Sequence, residues 1–329
     1  MSGRGLSTRL RRRRRARPGE FDKALSDIDR LIELDPGNDE TYVLKGYALF
    51  NKCDYCGAVA ALNRSLEINP QHACPYALRG KIHELRGELD KALADYTKTI
   101  EISPGSGSMY VNRAMLYARK KEHDLVIGDC TRAIEIVPNN VDAYFTRGYA
   151  YMYKKEIDES IQDFTRCIQI KPRFIDGYLM RALLYTSRGD YVRALADCDA
   201  AMKLDPKRPL IYYARGDIYF EMKEYEKAAA DLSRVIEADP RNVRALLQLG
   251  ENLMLEEKGT QALKCFNEIL SSNKGGDLYE TAQYNKGLAS LQTGNREDAR
   301  RSFREVARSG RTLDREAKAY LEKMADKQK

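Results

Sequence analysis

The clearest indication of the fold comes from residues 141–174, VDAYFTRGYAYMYKKEIDESIQDFTRCIQIKPRF. Its apolar residues recur every three or four positions over Val141–Tyr153 and again over Asp158–Ile170, which predicts two amphipathic helices joined by a short polar turn. Pro172 ends the second helix, because proline lacks a backbone N–H and disfavours helix at the preceding residue. Gly148 lies in the middle of the first helix, where glycine costs about 1 kcal/mol relative to alanine. We interpret it as the point where the paired helix approaches closely.

The same pattern repeats along the chain with a period of 34 residues. Proline recurs at this interval at Pro36, Pro70, Pro104, Pro138, Pro172, Pro206 and Pro240. Ten residues after each proline there is a glycine or an alanine. A register held without slippage from residue 36 to residue 250 indicates a repeat architecture, in which each unit buries its apolar face against its neighbours.

These repeats resemble the tetratricopeptide repeat family, which has this period and matching aromatic, glycine, alanine and proline positions. One unit matches at Tyr144, Gly148, Tyr151, Ser160, Phe164 and Pro172, and another at Tyr212, Gly216, Tyr219, Ala228, Leu232 and Pro240. Tyrosine takes the place of the family's usual tryptophan, which is absent throughout. The resemblance implies an all-α fold, a right-handed superhelical solenoid of antiparallel helix pairs with a C-terminal capping helix.

The repeat register divides the chain into five segments. They are an arginine-rich arm, expected to be disordered (1–19), a half repeat with only its second helix (20–38), seven full units (39–276), a degenerate eighth unit (277–313), and a capping helix with a tail (314–329). Residues 271–276 lack the proline and precede three extra residues, so we expect a hinge there.

The charge of the chain belongs mainly to the arm. The whole sequence has a net charge of +7, whereas residues 1–19 contain eight arginines and no acidic residue. A strongly basic nucleic-acid-binding body is therefore excluded. The cluster Arg11, Arg12, Arg13, Arg14 and Arg15 could contact about five phosphates in a salt-sensitive manner, or an import receptor. A transit peptide, an arm without function, and a start codon placed upstream of the repeats stay open as alternatives.

Two charged ladders run through the units. A basic residue precedes the small residue at Lys45, Arg79, Arg113, Arg147, Arg181 and Arg215. An acidic residue lies sixteen positions after the last five, at Asp95, Asp129, Asp163, Asp197 and Asp231. We predict that these residues form structural ion pairs, with an anion-binding stripe as the alternative.

No enzymatic, metal or cofactor site is expected. Cys53 and Cys56 form a CxxC motif followed by His72 and Cys74, but the predicted helix between the two pairs separates them by roughly 20 Å, too far for one zinc ion. The odd number of cysteines, seven, fits a reducing compartment. Phosphate-loop, dinucleotide and nucleophile-elbow motifs are absent, and no stretch is long and apolar enough for a membrane span.

The first helices offer a surface for a partner. Their faces outside the packing motif are apolar in the centre of the array, at Val111, Met115, Phe145, Tyr149, Met152, Leu179, Leu183 and Tyr213. Because an exposed apolar patch usually marks an interaction site, we predict a non-enzymatic scaffold that binds a peptide or protein segment in the concave groove. Packing against neighbouring units is the alternative for these residues.

The sequence also bears on two other functions. A clamp for the carboxylate tail of a chaperone is disfavoured, because Asn112 fits the family's clamp but Asp142 and Thr146 stand where the next unit needs basic residues. The second candidate function is a nucleic-acid-associated or nuclear adaptor that uses the arginine arm. We expect an intracellular protein, in the cytoplasm or alternatively in the nucleus.

Overall fold

The computed structural model describes residues 18–272, 276–310 and 312–326. Within these ranges the chain forms 18 α-helices and no strand, which confirms the predicted all-α fold. The first helix begins at Pro18, so the last two residues of the predicted arm are helical. Proline is tolerated there because the N–H groups of a first turn have no intrahelical partner. The rest of the arm and residues 273–275 of the predicted hinge lie outside the described residues.

The helices follow the repeat register. They are α1 Pro18–Leu34, α2 Asp39–Asn51, α3 Tyr55–Ile68, α4 Ala73–Arg86, α5 Leu89–Ile102, α6 Gly107–Arg119, α7 His123–Ile136, α8 Val141–Lys154, α9 Ile157–Ile170, α10 Ile175–Ser187, α11 Tyr191–Leu204, α12 Pro209–Glu221, α13 Tyr225–Ala238, α14 Val243–Leu255, α15 Gly259–Ser272, α16 Asp277–Gln292, α17 Arg296–Ala307 and α18 Asp314–Asp326. Turns of two or three residues join the two helices of each pair, which makes the packed pairs antiparallel.

The chain divides into two compact units, which we call the N-terminal unit, ending at Arg166, and the C-terminal unit, beginning at Cys167. In the N-terminal unit α1 packs on α2, and the pairs α2–α3, α4–α5 and α6–α7 follow. In the C-terminal unit the pairs are α10–α11, α12–α13, α14–α15 and α16–α17, and α18 packs on α17. Tyr320 of α18 stacks on Phe303 of α17 with the ring centroids 5.0 Å apart.

In each helix pair a small residue of the first helix packs against the residue sixteen positions later on the second helix. The sizes of these two residues are matched. A Cβ atom on Gly148 would lie 3.1 Å from ring atoms of Phe164. Where the first helix has Ala114 instead, the corresponding residue is Cys130, which is fully buried in the same apolar cluster. A large residue also packs against glycine in the pairs Gly46–Leu62, Gly80–Tyr96, Gly250–Phe266 and Gly287–Phe303. A second alanine is matched with a cysteine in the pair Ala182–Cys198. Burial raises the pKa of the Cys130 thiol to about 12, so this side chain is a neutral packing group.

The turn inside each helix pair contains one residue in the left-handed conformation. Glycine takes this place in three pairs, at Gly87, Gly189 and Gly294, and other residues take it in five, at Cys53, Lys121, Lys155, Lys223 and Glu257. The values of φ at these five residues lie between 59° and 64°. Because a Cβ atom crowds the following carbonyl in this conformation, the five non-glycine turns store strain.

The predicted Arg–Asp ladder is confirmed as structural pairing. Nε and Nη2 of Arg113 donate to the two carboxylate oxygens of Asp129 at 2.8 and 2.7 Å, and Nη1 donates to Oγ1 of Thr97 at 3.1 Å. The same two-point pairing recurs at Arg79–Asp95, Arg147–Asp163, Arg181–Asp197 and Arg215–Asp231. Lys45 has no aspartate sixteen residues later and pairs with Asp29 of α1 at 2.7 Å. The guanidinium groups are therefore engaged within the fold, which argues against an anion-binding stripe.

Candidate partner-binding face

First helices of neighbouring pairs lie side by side in each unit. In the N-terminal unit α2 contacts α4 and α6 contacts α8, and in the C-terminal unit α10 contacts α12 and α14 contacts α16. The fifth and ninth residues of each repeat lie one turn apart on these helices and so share a face. We call the surface that they form the first-helix face of its unit.

The first-helix face of the N-terminal unit has a half-exposed apolar centre. Met115 is 39% exposed, and Phe145 and Tyr149 are partly exposed. Met152, three residues after Tyr149 and so beside it on the helix, is partly exposed as well. The rings of Phe145 and Tyr149 meet edge to face at 5.0 Å, and both also contact Phe164 in the core. These two aromatic residues therefore contribute to helix packing as well as to the surface.

The expectation that Val111 belongs to an exposed patch is corrected by the structure. This side chain is only 5% exposed and packs in the apolar core with Ala114 and Ala143. Val111 takes the fifth place of its repeat, which the neighbouring helices cover, whereas Met115 takes the ninth place of the same helix and stays exposed.

The first-helix face of the C-terminal unit shows the same division. Leu183 is 48% exposed and Tyr213 is partly exposed. Leu179 is 6% exposed and packs with Ala201 and Ile211, so the expectation of an exposed side chain is corrected here too. At the fifth place of two different units, then, the aliphatic residue belongs to the core.

Two carboxylates beside Tyr213 give this face a polar character that the set of predicted site residues did not include. Nε2 of Gln248 donates to Oδ1 of Asp217, and Nδ2 of Asn285 donates to Oε1 of Glu251 at 2.9 Å. In both cases an amide on one first helix bonds to a carboxylate on the preceding first helix. Burial raises the pKa of both carboxyl groups, and the amide hydrogen bonds offset part of that effect.

The pKa of the Tyr213 phenol responds to both carboxylates. Burial raises the pKa of its phenol, and the negative charges of Asp217 and Glu251 raise it further, whereas Arg244 acts in the opposite direction. An aromatic ring and two carboxylates therefore act on one another at the surface of α12 and α14.

Asn252 of α14 is a buried polar residue that the sequence reasoning missed. It is 0% exposed, and neither atom of its amide has a hydrogen-bond partner. The signal was present in the sequence, because the same place in the other full units is apolar: Ala48, Ile82, Leu116, Ala150, Leu184 and Ile218. The carbonyl oxygen of Gln248, one turn earlier on the same helix, is likewise buried without a donor.

Comparison with known families decides the identity of the repeats. Four family models described as tetratricopeptide repeat match residues 13–73, 141–174, 181–247 and 219–283. The chain belongs to the tetratricopeptide repeat family. A search of curated proteins found no sequence match.

Solved structures of tetratricopeptide repeat proteins share the fold. A tetratricopeptide repeat protein from Parabacteroides merdae has a TM-score of 0.61 and 22% identity, over 75% of this chain and 98% of that one. PilF from Pseudomonas aeruginosa has a TM-score of 0.54 and 15% identity, over 65% of this chain and 95% of that one. A chain of the Cut9–Hcn1 hetero-tetramer of the APC/C has a TM-score of 0.57 and 15% identity, over 90% of this chain and 58% of that one. At these identities the likeness concerns the fold alone.

The cysteine and histidine candidates of the tetratricopeptide repeats do not converge on one site, and Sγ of Cys74 lies 3.7 Å from the hydroxyl of Tyr47 on the first-helix face. Cys53 and Cys56 are exposed free thiols, and Nδ1 of His72 lies 2.6 Å from Oδ2 of Asp39. Over the described ranges, no group of three or more His, Cys, Asp or Glu side chains is placed to hold a metal ion. In the same ranges, no helix has the length and apolar character to cross a bilayer. The cluster Arg11–Arg15 lies outside the described residues.

Proposed function

We propose that the protein is a non-enzymatic scaffold that binds a peptide or protein segment on its first-helix faces. The observation that carries this proposal is the half exposure of Met115 and Leu183, which helix pairing leaves uncovered at the ninth place of two units. Membership of the tetratricopeptide repeat family supports it, because stacked helix pairs present extended surfaces for partners.

The energetics favour these side chains as contact points. Fully burying an exposed methionine or leucine side chain contributes about 1.5–3 kcal/mol, and a partner that covers the exposed 39% of Met115 and 48% of Leu183 gains the corresponding part of that free energy. The partly exposed aromatic residues Phe145, Tyr149 and Tyr213 lie on the same faces, and aromatic residues are enriched among those that dominate binding energy. Since Phe145 and Tyr149 also pack on Phe164, the exposed aliphatic residues are the cleaner targets for mutation.

A matched pair of variants tests the proposal. Met115→Glu with Leu183→Glu places charge on the two first-helix faces, and Leu125→Glu with Val192→Glu places the same charge on exposed sites of the second helices α7 and α11. Proteins captured by each purified variant are quantified by mass spectrometry, and circular dichroism verifies that both variants are folded. We expect the first variant to lose the partners that the second retains. Equal capture by both variants would contradict the proposal.

The arginine arm supports a second candidate function, an adaptor that binds nucleic acid. The supporting observation is the density of charge, eight arginines without an acidic residue in residues 1–19. Replacing Arg11–Arg15 by glutamine in the full chain should then abolish binding to single-stranded RNA, and the binding of the parent chain should weaken steeply with salt. RNA binding that is unchanged by this substitution, or that does not occur at all, would exclude this candidate.

A further inference from the structure

The carboxylates of Asp217 and Glu251 differ from the aspartates of the ladder. Each ladder aspartate is bonded at two points by an arginine, whereas the described residues provide neither Asp217 nor Glu251 with a cationic partner. Each has one neutral amide donor, on Oδ1 of Asp217 and on Oε1 of Glu251. A partly buried carboxylate without a counter-charge is costly, so this face gains free energy when a cation arrives.

Hydrogen-bond acceptors are in excess around these two residues. Oδ2 of Asp217 and Oε2 of Glu251 receive no donor from the described residues. The carbonyl oxygen of Gln248, the residue whose amide nitrogen bonds to Asp217, is buried without a donor. Gln248 and Glu251 lie one turn apart on α14 and so on one side of the helix. A ligand that complements these oxygen atoms must bring several hydrogen-bond donors and a positive charge.

An arginine side chain has these properties. Its guanidinium group is planar, always charged and carries five N–H donors, and it also stacks on aromatic rings. The chain itself uses the same combination, since the guanidinium of Arg215 is bonded to Asp231 and lies over the rings of Tyr212 and Tyr219. Tyr213 lies one turn before Asp217 on α12 and so offers a ring on the same side of that helix.

The position of these carboxylates is specific to the C-terminal unit. Asp217 and Glu251 occupy the ninth place of their repeats, where the earlier full units have Tyr47, Lys81, Met115, Tyr149 and Leu183. Arg244 is exposed on α14 and forms no ion pair with either carboxylate within the described part of the chain. The face therefore changes from apolar at Leu183 to anionic at Asp217 and Glu251.

We infer that the first-helix face of the C-terminal unit binds an arginine of a partner's peptide segment, with the guanidinium group between Asp217 and Glu251 and against the ring of Tyr213. This inference rests on the proposed function and specifies the chemistry of the bound segment. The apolar residues of that segment contact Leu183 on the same face. The positive charge of the guanidinium group complements the negative charges of Asp217 and Glu251, which is why the face selects arginine.

The test uses the full chain and a set of short fluorescein-labelled peptides. The first peptide has a single arginine between leucine residues, and in two otherwise identical peptides citrulline or lysine replaces the arginine. Citrulline keeps the shape of the arginine side chain but carries no charge. Fluorescence anisotropy at low salt should show that the arginine peptide binds about tenfold more tightly than either of the other two.

Two double variants with the same change of charge locate the site. Asp217→Asn with Glu251→Gln should lose the preference for arginine, whereas Glu237→Gln with Glu257→Gln, at exposed positions away from the face, should retain it. Both variants are isosteric, and circular dichroism checks that they are folded. Equal binding of the arginine and citrulline peptides, equal binding of the arginine and lysine peptides, or a preference that survives in the first variant would each overturn the inference.

The inference and the proposed function can fail separately. If Met115→Glu with Leu183→Glu abolishes partner capture but no peptide distinguishes arginine from citrulline, the scaffold function stands and the arginine site does not. If the arginine preference depends on Asp217 and Glu251 but partner capture ignores the first-helix faces, the arginine site stands and the scaffold proposal is wrong.

Discussion

The phenyl ring of Phe266 lies so close to Gly250 that a Cβ atom on this glycine would come within 2.5 Å of the ring atom Cε1. At the equivalent place one repeat earlier, a Cβ atom on Gly216 would lie 3.4 Å from Cγ of Leu232, which is an ordinary van der Waals contact. The two glycines occupy the same position of the repeat and differ only in what the second helix places against them. Their tolerance of a methyl group must therefore differ.

Gly250→Ala should destabilise the protein by about 1–3 kcal/mol, the usual cost of overpacking a core. Gly216→Ala should be neutral or should stabilise by up to about 1 kcal/mol, because alanine is the better helix former and has room. The midpoint of urea denaturation, followed by circular dichroism, measures both changes. Equal midpoints for the two variants would show that the ring of Phe266 moves aside freely.

The repeat register predicts the pairing of helices because each pair is local in sequence. The distance of sixteen residues that joins Arg113 to Asp129 follows from two helices and a short turn, so the ladder could be predicted before any contact was seen. The burial of Val111 could not be predicted in this way, since it depends on how closely the next first helix approaches. Nor does the register show that Gln248 and Asn285 reach across to carboxylates on a neighbouring helix.

Asn252→Leu should stabilise the protein by about 1–3 kcal/mol. The amide is fully buried without hydrogen bonds, and such a group loses its hydration without compensation. Leucine already occupies this place at Leu184, so the converse variant Leu184→Asn is the control and should destabilise. Denaturation midpoints measure both. A loss of stability in Asn252→Leu would indicate that the amide is bonded to water or to a ligand in solution.

The raised pKa values of Asp217 and Glu251 predict how stability depends on pH. A carboxyl group whose pKa is raised by burial binds its proton more tightly in the folded than in the unfolded chain, so its contribution to stability falls as pH rises from the ordinary carboxyl pKa of about 4 through the raised value. Asp217→Asn with Glu251→Gln removes this dependence. Relative to the parent chain, the variant should therefore be more stable at neutral than at acidic pH. Urea midpoints at a series of pH values measure this difference, and a difference that is constant with pH would contradict the prediction.

Lys121→Gly should stabilise the turn between α6 and α7. Lys121 has a φ of 63°, which glycine adopts without the steric cost of a Cβ atom. Lys121→Ala removes the same charge and keeps the Cβ atom, so it is the matched control. The free energy of unfolding of the glycine variant should exceed that of the alanine variant by about 1 kcal/mol. Equal stabilities would indicate that the turn relaxes out of the left-handed conformation.

The size matching within helix pairs favours the correct helix pairs over mispaired ones in a chain of similar repeats. Helix α8 meets α7 before it and α9 after it, and both are amphipathic second helices of the same length. Only α9 brings Phe164 to fill the space above Gly148, whereas α7 would bring Cys130 and leave a void. In the reverse exchange, a phenylalanine would take the place of Cys130 and would clash with Ala114. Mispaired intermediates therefore lose packing free energy. In three consecutive pairs, Ala114–Cys130, Gly148–Phe164 and Ala182–Cys198, the alternation of alanine–cysteine with glycine–phenylalanine gives neighbouring repeats distinct identities while the chain folds.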